Sequence, residues 1–244
     1  MFQTRIEIVP TPGIVLKVAE TIPVSTALAV STPRSFGVAK TMQTAIQLAA
    51  LGYQVLPHLP AHEMHSRAQL ASIVRTCKSL GIMEVLAVRG DSSSPEGPYR
   101  SSLDLMEDIA EASGGSVRTA IAGYPESHPF VSTLHLLDSL LTKCHLATHI
   151  VTQMCFAAPN IITYAEILRR EGVTLPIWAG VAGPVPKGRL LPLASRIGVG
   201  PSLNYLSRSG PLGRRVLRND RYPPQRAHLR FGGLSGSFRR YSHA

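Results

Sequence analysis

The chain has 244 residues, 44% of them hydrophobic, and a formal net charge of +10. That length supports one sizeable α/β domain with a real core, and no apolar run reaches the roughly 18 residues needed to span a bilayer. The charge is no sign of a nucleic-acid partner: residues 208 to 244 hold nine arginines against one acid, Asp220, and the rest of the chain is close to neutral.

The basic arm could attract phosphate backbones electrostatically, but it carries no recognisable nucleic-acid fold motif. The apolar stretch Ile22 to Val30 is short, is interrupted by Pro23, Ser25 and Thr26, and lies too far in for a signal peptide. A cytoplasmic protein without a membrane segment is therefore expected. Cys77, Cys144 and Cys155 lie far apart with no CxxC spacing, which points to free thiols rather than disulfides or zinc. Cys155 falls beside a proposed site; packing is its favoured role and reactivity the alternative.

Strand-like and helix-like segments alternate along the chain. Arg5 to Val9 reads as a strand and Val15 to Thr21 as a short helix. Thr26 to Val30 is a second strand, followed by a helix from Phe36 to Leu51. Gln54 to Leu56 is a short third strand leading into Pro57-His58-Leu59. Arg67 to Leu80 is a helix with Leu70, Ile73, Val74 and Cys77 on one face. Glu84 to Val88 is a strand and Ser101 to Ala112 a helix stopped by Gly114-Gly115. Val117 to Ala122 and His149 to Gln153 are strands, each followed by a helix, Ser132 to Cys144 and Asn160 to Arg170. Pro176 to Ala179 is a seventh strand, and Gly188 to Arg196 its helix.

Strands joined by helical crossovers must be parallel. Seven such units, without GxGxxG after the first strand, favour a (β/α)8 TIM barrel over an open doubly wound sheet. The barrel is expected to be incomplete at the eighth strand, because periodicity fails after Leu206. The expected division is a barrel domain over 1–207 and a basic, poorly ordered Arg/Gly/Pro-rich tail over 208–244. A barrel without its last strand would leave open edges on its first and seventh strands.

In such a barrel, chemistry sits at the C-terminal ends of the strands. Those ends carry His58, then Arg89-Gly90-Asp91, then Tyr124 to His128, then Gln153. The first strand carries Glu7 between Ile6 and Ile8, so alternation turns it opposite to both. A carboxyl in a partly apolar barrel mouth has its pKa raised by desolvation, which suits a general acid; pairing with Arg5 is the alternative. Asp91 can accept paired N–H bonds from a planar heterocycle, and Gln153 offers a donor and an acceptor to an amide edge. His58, His62, Glu63 and His65 invite a metal reading, but the spacing is not HExxH and no metal is expected.

Taken together, Ile6-Glu7-Ile8-Val9-Pro10, Pro57-His58-Leu59, Arg89-Gly90-Asp91, Tyr124-Pro125-Glu126-Ser127-His128-Pro129 and Thr152-Gln153 resemble, in collinear order, the motifs of the methylenetetrahydrofolate reductase family. The resemblance implies a (β/α)8 barrel that reduces 5,10-methylenetetrahydrofolate to 5-methyltetrahydrofolate with NAD(P)H, NADH being favoured. It implies Glu7 as general acid, Asp91 and Gln153 as folate-holding residues, and His58, Arg89, Gly90, Tyr124 and His128 around a cofactor. In typical members FAD relays the hydride. The slots for further FAD contacts hold His135 and Thr142 here, with Lys143 one residue on, and the chain is similar to a short bacterial subgroup thought to work without flavin. The alternative is a non-catalytic or methyltransferase-associated folate-binding paralogue. After Tyr222-Pro223-Pro224-Gln225-Arg226 the resemblance ends.

Overall fold

The computed structural model describes residues 4–128, 131–155, 157–182 and 238–243. Eight parallel strands close into a barrel in chain order. They are β1 (Thr4–Ile8), β2 (Ala27–Val30), β3 (Val55–Pro60), β4 (Glu84–Val88), β5 (Arg118–Gly123), β6 (Ala147–Thr152), β7 (Ile177–Ala182) and β8 (Phe238–His243). The described helices are α1 (Ile14–Thr21), α2 (Gly37–Ala50), α3 (Arg67–Ser79), α4 (Ser102–Ser113), α5 (Thr133–Lys143) and α6 (Ala158–Arg170).

Helix boundaries follow local chemistry. The Ser66 side chain accepts from the Gln69 N–H at the start of α3, and Ser101 and Asp104 cap α4 reciprocally. Asp104 is partly desolvated, yet bonds from the Ser101 hydroxyl and the Arg100 and Ser101 amides outweigh this and hold its pKa below the usual carboxylate value. On α3, Leu70, Val74 and Cys77 are buried and Ile73 packs beside them, as the helical spacing predicts.

Two differences from the sequence reading matter. β3 runs on through Pro57 and His58 to Pro60, so His58 lies within the strand rather than after it. The tail also supplies a strand: β8 pairs along β7 from Ile177↔Phe238 to Ala182↔His243 and along β1 from Thr4↔Arg240 to Glu7↔His243. The edges expected to stand open on β1 and β7 are therefore both paired. Phe238–His243 reads Phe-Arg-Arg-Tyr-Ser-His, and so lacks the apolar run that marks a buried parallel strand. The expected helix from Gly188 to Arg196 and the boundary at residue 207 lie outside the described residues.

Strand residues sort into two layers by period-two alternation. Ile8, Leu28, Val30, Val55, Leu59, Val85, Ala87, Ile121, Ile150 and Ile177 face the helices and share a core with Leu48, Leu70, Leu105, Ile109 and Leu168. Ala29, Leu56, Leu86, Ala120, Val151 and Trp178 fill the barrel interior. Each fully buried aliphatic side chain contributes roughly 1.5–3 kcal/mol. Small Ala29 and Ala120 leave room for Trp178, the single tryptophan of the chain.

The N-terminal mouth is closed by charge pairing. Arg5 bonds Glu84 at 3.3 Å, Arg118 reaches the same carboxylate at 3.4 Å, and the Arg5 guanidinium lies 4.6 Å from the Trp178 ring centre. A cavity of about 670 Å³ opens at this end, lined by Arg5, Glu84, Arg118, His149 and Trp178 among others. It is on the opposite side of the barrel from the strand C-termini, where conserving the fold rather than catalysis is the usual task of side chains.

Candidate functional site

The C-terminal mouth gathers the residues singled out from the sequence. Glu7 pairs laterally with Ala29, and laterally paired residues of parallel strands project to the same side. Ala29 belongs to the barrel interior, so Glu7 projects inward while Ile6 and Ile8 join the outer core. Arg5, offered as its alternative partner, bonds Glu84 one layer below. His58 stands two residues beyond inward-facing Leu56 and is half-buried. Thr32 Oγ1 donates to the His58 carbonyl at 2.6 Å and ties the end of β2 to β3.

Arg89-Gly90-Asp91 follows β4 immediately. Gly90 has φ +91, and a Cβ there would sit 2.8 Å from Pro60 Cβ, so only glycine makes this turn without strain. The turn brings exposed Arg89 and Asp91 to the mouth.

Tyr124 leaves β5 into a turn in which the Ser127 N–H donates to the Tyr124 carbonyl at 3.3 Å. Ser127 holds φ 65, a left-handed conformation uncommon for serine. The Tyr124 and His128 rings meet edge to face with centres 5.6 Å apart. Burial, then the Arg89 charge, pull the His128 pKa down, with Asp91 opposing. Burial, then Asp91, push the Tyr124 phenol up, with Arg89 opposing. Those cross-influences place the turn beside Arg89-Gly90-Asp91.

Thr152 ends β6 and is buried; its hydroxyl accepts from the Gly180 N–H at 2.8 Å and donates to the Gln153 carbonyl at 3.0 Å. Gln153 is half-buried. Its N–H donates to the Gly123 carbonyl at 2.7 Å, and its Oε1 accepts from the Met154 N–H at 3.2 Å. Glu7, His58, Arg89, Asp91, Tyr124, His128 and Gln153 thus all stand at the same end of one barrel, on five strands or the turns leaving them.

The contacts of Glu126 and the burial of His62 and Glu63 were not anticipated. Glu126 accepts from Cys155 Sγ at 2.8 Å and from Asn160 Nδ2 at 3.0 Å, tying the β5 turn to the β6 turn and α6. Burial, then the Glu126 carboxylate, push the Cys155 thiol far up, so it is a packed donor rather than a nucleophile. His62, weighed in the sequence as part of a metal cluster, is buried, with both ring nitrogens 2.9 Å from backbone carbonyls. No group of three His, Cys, Asp or Glu side chains able to hold a metal occurs among the described residues. Glu63 beside it is buried too; burial, then Glu96 and Asp91, raise its pKa. No local sequence signal marks these contacts, because their partners are 29 to 38 residues apart.

Comparison with known proteins now bears on the site. The family model for methylenetetrahydrofolate reductase matches residues 24–187, two thirds of the chain. The chain belongs to the methylenetetrahydrofolate reductase family. It is 26% identical over 162 residues to methylenetetrahydrofolate reductase (NADH) 1 of Zea mays, covering 59% of this chain and 26% of that one. It is 28% identical over 133 residues to 5,10-methylenetetrahydrofolate reductase of Pectobacterium carotovorum, covering 53% and 44%. The chain spans less than half the length of these relatives. A solved putative lyase/mutase from Burkholderia cenocepacia superposes with a TM-score of 0.50 at 14% identity, over 89% of this chain and 91% of that one. That likeness concerns the barrel fold alone. The matched stretch begins after β1 and does not include Glu7.

Proposed function

We propose that this family member reduces 5,10-methylenetetrahydrofolate to 5-methyltetrahydrofolate with hydride from NAD(P)H, NADH being favoured, in the cytoplasm. The observation that carries the reading is the convergence of Glu7, Asp91 and Gln153 on one barrel mouth in a chain of this family.

Glu7 enters the mouth from β1, three strands round the barrel from β4, which leads into Arg89-Gly90-Asp91. As general acid it gives its proton to the folate nitrogen whose bond to the methylene carbon breaks, and the five-membered ring opens to an iminium. Hydride adds to that carbon, giving the methyl group and the oxidised nicotinamide. Asp91 accepts N–H bonds from the pterin edge, and Gln153 pairs with its amide edge. His58, Arg89, Tyr124 and His128 form the wall against which the hydride donor lies. His128, its pKa lowered, is neutral there at pH 7 and leaves Arg89 as the cation of that wall.

These four residues suit one edge of a flavin, which would supply a two-electron relay when bound. α5 does not extend the fit. His135 and Thr142 are exposed, Thr142 bonds back to the Asp138 carbonyl, and Lys143 is held by Ser102 Oγ at 2.8 Å and Ser139 Oγ at 3.4 Å. Burial lowers the Lys143 pKa to about 8, which weakens it further as a fixed cation.

Steady-state oxidation of NADH with methylenetetrahydrofolate, and an absorbance spectrum of the purified protein, test the reading. Glu7→Gln is expected to lower kcat by roughly 10²–10⁴-fold while folate still binds. A chain that binds folate and never oxidises NADH or NADPH would be the non-catalytic paralogue instead.

A further inference from the structure

His62 spends every polar group it has on one segment. It lies in the 3-10 turn Ala61–Glu63 that follows β3 and is 5% exposed. Its N–H donates to the Arg89 carbonyl at 2.9 Å, and its own carbonyl accepts from the Glu96 N–H at 2.7 Å. Its ring nitrogens reach the Ser92 carbonyl and the Arg100 carbonyl, each at 2.9 Å. The segment from Arg89 to Arg100 has neither helix nor strand of its own. Its backbone is therefore anchored at four places by one side-chain-bearing residue from the neighbouring strand end.

Two of those anchors bracket Asp91. The Arg89 carbonyl lies before it and the Ser92 carbonyl directly after it. Asp91 itself is exposed, so burial of its own side chain does not fix its direction. Its carboxylate is aimed by the backbone on either side, and that backbone is held by His62. Each ring nitrogen lies within hydrogen-bond distance of a carbonyl oxygen of this segment, so whichever nitrogen carries the N–H donates to it.

Resting on the folate reading above, we propose that His62 is a positioning residue for the pterin: a buried residue whose backbone and ring hold the segment that orients Asp91, without touching substrate. A carboxylate misplaced by an ångström loses most of a directional hydrogen-bond pair.

The test compares His62→Ala, His62→Gln, Asp91→Asn and the His62→Ala/Asp91→Asn double variant in the full chain. The readouts are the separate KM values for methylenetetrahydrofolate and NADH, and amide hydrogen exchange across residues 89–100. His62→Ala should raise the folate KM roughly tenfold to a hundredfold with the NADH KM little changed, and should speed exchange across the segment. The double variant should be no worse than Asp91→Asn alone, and His62→Gln, which keeps an amide donor, should recover part of the loss. Unchanged exchange, equal rises in both KM values, or losses that multiply in the double variant would overturn the proposal. If His62→Ala does not fold, the same comparison with His62→Gln decides. A wild-type chain that neither binds nor turns over folate defeats the functional reading and the pterin role with it, while exchange in His62→Gln still reports whether the segment is anchored.

Discussion

Cys155 Sγ donates to Glu126 Oε1 at 2.8 Å, and this contact joins the turn after β5 to the turn after β6. Asn160 Nδ2 holds the same oxygen at 3.0 Å, so the carboxylate is fixed from α6 as well. The consequence is a thiol that stays protonated. Alkylation of the native protein followed by mass spectrometry should label half-buried Cys144 before Cys155. Cys155→Ala should cost about 1–3 kcal/mol in urea unfolding, because the half-buried Glu126 carboxylate loses one of its donors. Cys155→Ser, which keeps a donor, should cost less.

A second thiol shapes stability at high pH. Burial raises the Cys77 pKa from its ordinary 9.0 to about 11. The unfolded chain therefore releases this proton first as pH rises. The stabilisation is complete below pH 9, declines above it and is gone above pH 11, with a span on the order of 2–3 kcal/mol. Urea midpoints measured from pH 8 to 11 should fall in the wild type more steeply than in Cys77→Ala. Equal slopes would show that the thiol does not drive the decline.

His128 reports the mouth's electrostatics. Its folded pKa is lowered by burial and by Arg89. Its stabilising contribution is present above the ordinary value of 6.5 and is lost as pH falls through the folded value. Arg89→Ala removes one lowering charge and leaves Asp91, which raises. Proton NMR titration should show the His128 midpoint moving up in that variant, and a static midpoint would contradict the proximity of the two residues.

Gly90→Ala tests the turn that presents Asp91. The substitution places a methyl 2.8 Å from Pro60 Cβ at a backbone of φ +91. A loss of about 1–3 kcal/mol is expected from the left-handed residue alone. Folate affinity should fall with it, whereas Gly114→Ala, at φ 61 with open space around it, should lower stability and leave the mouth unaffected.

The last strand is the most consequential element of the arginine-rich tail. Removing residues 238–244 deletes the partner of both β1 and β7. The truncated chain should melt earlier and less cooperatively than the full chain, and should self-associate through its two open edges by gel filtration. A melt identical to that of the full chain would mean that β8 adds nothing to closure.

Much of this protein was determined locally. The alternation of apolar runs and amphipathic helices specified strands and helices to within a few residues, because burial on one or two faces leaves a period in the sequence. Arg89-Gly90-Asp91, Tyr124 to His128 and Thr152-Gln153 were visible as polar punctuation after such runs. Glu7 was visible as a break in an isoleucine pair, and its inward direction followed from alternation. Tertiary structure alone decided the rest. β8 has no apolar signature, and only the paired edges of β1 and β7 identify it. His62 was visible only as one of a cluster of His and Glu residues until the turn after β3 met the segment after β4. Cys155 and Glu126 met only when β5 and β6 lay side by side. In each case the deciding partner is a backbone or side-chain group brought near by sheet pairing, and hydrogen-bond satisfaction at long range leaves no period for a linear sequence to carry.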